Sequence, residues 1–188
     1  MAGSLRTQPR RLRAPRRVRA APRVRVSRPP AGFLHPATRS DVAALLARLG
    51  PEATYGLHAV HLAAPADGEA LLFGRLLVPG TILLYAQPVP PWTLPGRLPA
   101  AAADRLRRAG AEIESTGGGT QTVVAWPGDT LRRFLLLDVL LHELGHHVLQ
   151  HERRAPAERI VRTRDHEASA DRFARRCRER LEAEETGG

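Results

Sequence analysis

The chain has 188 residues, of which 43% are hydrophobic, and a formal net charge of +10; that is enough for one domain of ordinary size to bury most of its apolar surface without staples. Its single cysteine, Cys177, excludes an internal disulfide framework, and the longest strongly apolar run, 134–141, falls far short of the roughly 20 residues that span a bilayer. More arginine rather than an apolar stretch follows the basic start, which argues against a secretory signal and leaves a cytoplasmic location with no membrane partner as the expectation.

The charge is unevenly placed. Residues 1–40 carry eleven arginines and no acid, while the remainder is close to neutral. From Arg6 to Pro30 arginine is interleaved with proline and alanine, which leaves almost nothing to bury against the cost of ordering, so residues 1–32 are expected to form a disordered tail and residues 33–188 the folded domain. An arginine-rich arm at 1–30 can neutralise nucleic-acid phosphates without sequence preference, and the same composition also fits a solvated tail, an over-long gene start or a transit peptide.

In chain order, "RSDVAALLARLG" predicts a first helix with Ser40 as N-cap and Gly50 as stop. "YGLHAVHLAA", "ALLFGRLLV" and "PGTILLYAQ" predict strands, the last two as a hairpin through Pro79 and Gly80. "QPVPPWTLPGRLP" reads as a proline-rich loop. "AAADRLRRAG" reads as a helix ended by Gly110, and "AEIES" and "TVVAW" as strands around a glycine turn. Asp129 is the expected N-cap of a long helix running through "LRRFLLLDVLLHELGHHVLQH". "APAERIVRT" connects it to a final helix beginning near Arg164, with Ala170, Phe173, Ala174, Cys177 and Leu181 on one stripe and a tail that frays after Leu181. The class is α+β: a small mixed or antiparallel sheet packed on the histidine-bearing helix and the C-terminal helix.

"HELGH" sets His142 and His146 four residues apart, so both imidazoles share a helix face one turn apart and can bind one metal. Glu143 lies about 100° around the helix, near enough to hold a water beside the metal rather than ligate it. Two imidazoles and a carboxylate suit Zn²⁺, which takes N and O donors tetrahedrally and keeps one position open. Glu167, opening the final helix in "DHEASADRFA", is the candidate third ligand. Asp171, one turn later, is placed to orient a ligating histidine by bonding its outer ring nitrogen. Gly145 in the helix interior costs about 1 kcal/mol against alanine and marks close backbone approach, as do the small residues Ala168, Ser169 and Ala170. His147 and His151 are expected at the helix C-terminus, where positive charge is favoured, rather than at a second metal. His58 and His61 fall on opposite faces of a strand, and Asp138 faces either the cleft or solvent.

These residues resemble the gluzincin metallopeptidases, which pair H-E-x-x-H with a downstream glutamate. The segment from about Leu131 to Arg175 is most similar to the ImmA/IrrE-type minimal peptidase domain. The resemblance implies a zincin-like fold, one zinc held by His142, His146 and Glu167, Glu143 as general base, Asp171 as orienting partner, and hydrolysis of a protein or peptide substrate. It also implies a group that stabilises the oxyanion, for which His166, Arg164 and Tyr85 are the candidates. "TVVAW" or "TILLYAQ" is the expected sheet edge for an extended substrate. The alternative is a weakly active or inactive zinc-stabilised regulatory module held to nucleic acid by its basic tail.

Overall fold

The computed structural model of the chain describes residues 21–66, 71–152 and 163–187, so the tail before residue 21 and the connector at 155–162 lie outside the described residues. The architecture is α+β, with helices packed on small sheets. The largest sheet has the order β1 (Arg23–Val26), β3 (Ala59–Ala63), β5 (Thr81–Tyr85), β4 (Gly74–Leu77); β1, β3 and β5 are parallel and β4 runs against β5. β3 is buried on both faces through Ala59, Val60, Leu62 and Ala63, whereas β4 buries Gly74 and Leu76 and exposes Arg75 and Leu77. Continuous burial marks an inner strand; alternation marks an edge. β4 and β5 form the hairpin predicted through Pro79 and Gly80.

β1 corrects the expected boundary at residue 32. Arg23–Val26 pairs in register with Ala59–Leu62, and Val24 packs on the core. The Arg-Val alternation is a strand pattern whose burial comes from the partner β3, so the segment needs no core of its own.

A second sheet joins β2 (Phe33–Leu34) to β6 (Gln87–Pro88), and a third has the order β7 (Trp92–Pro95), β9 (Gln121–Ala125), β8 (Glu112–Thr116), all antiparallel. The proline-rich stretch from Gln87 is therefore not simply a loop: it supplies two strands, with the prolines of β6 and β7 on outer strands that can spare an N–H. Trp92 of β7, Trp126 just after β9, Phe73 just before β4 and Phe134 on the long helix stack in one cluster, with ring centroids 4.9–6.1 Å apart. That cluster fixes the third sheet and the long helix to the edge of the first, each pair adding about 0.5–1.5 kcal/mol beyond its burial.

Helix α1 (Arg39–Ala53) buries Val42, Leu45, Leu46 and Leu49. Its N-cap is Thr38 rather than Ser40: the Thr38 hydroxyl accepts from the Asp41 amide at 3.2 Å and the Thr38 amide donates to Asp41 Oδ2 at 2.8 Å. Only Thr38 has an acid three residues on, so only it can form a capping box. Gly50, at φ 82°, breaks the regular helix as expected, and a short turn follows.

Helix α2 spans Ala100–Arg108. The long helix starts as α3 (Thr130–Arg133), passes through a π-helical stretch at Phe134–Leu140 and continues as α4 (Leu141–Glu152). Asp129 stands at the cap position but makes no cap bond; its carboxylate takes the Arg132 guanidinium at 3.3 Å. Asp138 faces neither cleft nor open solvent, being bonded by Arg178 of α5 (Arg164–Thr186), which also donates to the Leu137 carbonyl. The end of α5 does not fray after Leu181. Arg48 of α1 donates to the Leu181 carbonyl at 2.9 Å and to Glu185 at 2.8 Å, and the helix runs to Thr186. No helix among the described residues is long and apolar enough to cross a membrane.

Candidate metal centre

The apolar residues of the long helix, from Leu131 through Leu144, sink it into the core and leave one face of α4 toward α5. The two helices meet backbone to backbone. A Cβ on Gly145 would lie 2.9 Å from both the Cα and the carbonyl oxygen of Ala170, which only glycine permits. β4 closes from another side at Gly74, where a Cβ would come within 2.7 Å of Val139. The sequence marks the first of these approaches and gives no sign of the second.

Between these contacts His142, His146 and Glu167 converge, each offering a ligand atom within 4.8 Å of the others. The two Nε2 atoms are 3.1 Å apart, His142 Nε2 is 3.2 Å from Glu167 Oε2, and His146 Nε2 is 3.5 Å from Glu167 Oε1. Zn–ligand bonds of about 2.0–2.1 Å at tetrahedral angles separate two ligands by roughly 3.3 Å, so the donor set fits such an ion in type and spacing. His142 Nδ1 is 2.8 Å from Asp171 Oδ1. With Nδ1–H given to a carboxylate, the lone pair of His142 falls on Nε2, the atom facing the cluster. His146 is 2% exposed, which holds its ring in place.

Glu143 is 4% exposed, and its Oε2 accepts the Leu76 amide at 2.8 Å. In the antiparallel β4–β5 pair, alternate residues turn their N–H and C=O outward. Leu76 is one of these, so the edge strand itself orients the carboxylate. A cavity of about 270 Å³ opens here, lined by Leu71, Leu72, Phe73 and Gly74 leading into β4, by Val139, by Arg105 of α2, and by His142, Glu143, Glu167 and Asp171.

Of the oxyanion candidates, Tyr85 is buried on β5, and Arg164 and His166 begin α5 around its Thr163 cap, next to Glu167. Two other expectations change. "TILLYAQ" and "TVVAW" contain β5 and β9, which lie inside their sheets; the strand edge beside the cavity belongs to β4. His147 is not a charged end-group. It is 1% exposed, its Nε2 donates to the Tyr55 carbonyl at 3.0 Å, and burial pulls its pKa down to about 4, so the ring is neutral at ordinary pH. His151 packs edge-on against it, with centroids 4.5 Å apart, and lies over Gly56. Among the described residues this pair gains no third ligand, and the only group of three candidate ligands is His142, His146 and Glu167. His61 is engaged elsewhere, 2.8 Å from the Ser27 hydroxyl.

Arg105 escapes sequence reasoning because "DRLRRAG" presents three arginines on a helix far from the histidine motif, and only packing selects one. No protein-family model, curated protein or solved structure matches the chain.

Proposed function

We propose that the chain is a zinc-dependent peptidase with a zincin-like fold, of the gluzincin kind and most similar to the ImmA/IrrE-type minimal peptidase domain. It acts on a protein or peptide in the cytoplasm. The observation that carries this reading is the meeting of His142 and His146 with Glu167 from a second helix, at separations suited to one tetrahedral ion. A buried carboxylate stands beside them in an open cavity.

His142, His146 and Glu167 are the residues that would hold the zinc. When bound, zinc supplies Lewis-acid polarisation of an amide carbonyl and lowers the pKa of a coordinated water toward ~7. Asp171 keeps His142 in the tautomer that presents Nε2. Glu143 is the proton carrier: with Oε2 fixed by the Leu76 amide, Oε1 takes a proton from the attacking water and passes it to the departing nitrogen. The outward N–H and C=O of Gly74 on β4 pair with an extended substrate, laying its backbone along the cavity. Leu72, Phe73 and Val139 make that wall apolar, which excludes water from the cleavage point.

The test is metal content with activity. Purified protein should carry about one zinc per chain, and His146→Ala or Glu167→Ala should remove it. Glu143→Gln should keep the zinc and stop cleavage of an unfolded protein substrate. Equal cleavage by Glu143→Gln and wild type would overturn the proposal.

A further inference from the structure

Among the described residues, one arginine borders the cavity. Arg105 of α2 lines it together with the metal-ligand candidates, and its guanidinium carbon lies 5.5 Å from the centroid of the Phe134 ring. Several arginines of the folded body are paired, Arg107 with Asp104, Arg132 with Asp41, Arg178 with Asp138 and Arg48 with Glu184 and Glu185, but none of these lines the cavity. Among the described residues Arg105 has no carboxylate partner, although the same cavity contains Glu143, Glu167 and Asp171. Those three are turned elsewhere, to the Leu76 amide, to the histidine pair and to His142.

We infer that Arg105 selects the substrate, receiving a carboxylate of the peptide held in the cavity; this rests on the peptidase reading above. The Phe134 ring is itself fixed, stacked on Trp126 at 5.2 Å and edge-on to Phe73 at 4.9 Å, so the guanidinium rests on a rigid platform. The ring attracts the cation without using any N–H donor, so the donors of Arg105 remain for a two-pronged carboxylate contact. The acids lining the cavity, Glu143, Glu167 and Asp171, repel an acidic substrate residue; Arg105 reverses that preference at one point. Arg105 is exposed, whereas an oxyanion-stabilising donor works from a water-excluded position. A cation at the rim sorts incoming peptides instead. The carboxylate comes from either an acidic side chain or the peptide's own C-terminus, and both have the chemistry described.

The test uses short labelled peptides that differ at one central position, Glu, Gln or Lys, each ending in an amide, with the Gln peptide also made with a free C-terminal carboxylate. Binding to full-length, zinc-loaded Glu143→Gln protein is read by fluorescence anisotropy, and hydrolysis by wild type gives KM and kcat separately. The Glu peptide should bind roughly tenfold more tightly than the Gln amide, the yield of one charge-assisted hydrogen-bond pair. Tighter binding of the free-carboxylate peptide instead identifies the chain terminus as the source. Arg105→Gln should erase the difference, Arg105→Lys should restore part of it, and Arg105→Glu should shift preference to the Lys peptide. In turnover the change should fall on KM. Equal binding of all peptides, or none, overturns the inference, as does a uniform loss of kcat across the peptides in Arg105→Gln. Preferential binding with no cleavage by wild type would sink the peptidase reading and leave Arg105's role standing; cleavage without preference would do the reverse.

Discussion

Gly145→Ala tests whether close helix contact is what brings Glu167 to the histidines. The new Cβ would start 2.9 Å from the Cα and carbonyl oxygen of Ala170, whereas ordinary contact begins at 3.4 Å. α5 must therefore retreat by about 0.5 Å. Glu167 stands one turn before Ala170 on the same helix and moves with it, and a metal site tolerates only about ±0.2 Å in its ligand distances. Zinc affinity should fall by at least about tenfold, measured by competition with a chelator. Stability should change less, because alanine gains about 1 kcal/mol of helix propensity over glycine against roughly 1–3 kcal/mol for overpacking. A net loss of up to about 2 kcal/mol lowers the melting temperature of a domain this size by no more than roughly 8 °C. Since the contacted atoms are backbone, adding Ala170→Gly should not rescue binding. Undiminished zinc affinity in Gly145→Ala would refute the reasoning, for Glu167 would then be positioned by something other than this contact.

Asp171→Asn should weaken zinc binding by about 10–100-fold without displacing any ligand, as expected when the partner of a ligating histidine is lost; the same chelator competition measures it. Hydrogen bonds from the Thr38 amide and hydroxyl, helped by Arg132, hold the Asp41 carboxyl below its ordinary 3.8. A depressed carboxyl adds stability above its unfolded pKa and loses it as pH falls through the folded value. Asp41→Asn should thus be less stable than wild type at neutral pH, by about 1 kcal/mol as for other helix caps, and urea melts should show the gap closing below pH 3.8. Truncation through residue 30 should lower the melting temperature relative to truncation through residue 20, because only the longer deletion removes β1 and the packing of Val24. Equal melting of the two would show that the β1–β3 pairing adds nothing to stability.

Local signals in the sequence were strong where one element decides its own geometry. The four-residue spacing of His142 and His146, the hairpin at Gly80 and the close approach at Gly145 each follow from helix or turn geometry. Glu167 and Asp171 were legible for a related reason, since spacing on α5 places them on one face. What the sequence left obscure depends on the partner. β1 reads as a disordered arginine tail until β3 lies beside it, and the proline-rich stretch yields strands only because its outer positions leave N–H groups unneeded. The choice of substrate edge failed likewise: β5 and β9 have the stronger strand composition because they are interior, and the edge β4 is weaker because one of its faces is wet. His147 looks like its neighbour His146 in sequence. Only burial against the Tyr55 carbonyl separates a neutral packing residue from a ligand candidate.

The π-helical stretch at Phe134–Leu140 makes the aim of the histidine pair a matter of arithmetic. Such a stretch spaces its hydrogen bonds one residue wider than an α-helix, and each α-helical residue advances about 100°. The wider pairing takes up one residue more per turn, so losing one residue there, with the ladder closing up to regular pairing, would leave His142 and His146 facing much as they do. A residue lost from the regular turns of α4 has no such slack and would swivel everything beyond it by that angle. The segment is thus a place where the rod can change length without turning the candidate ligands away from Glu167.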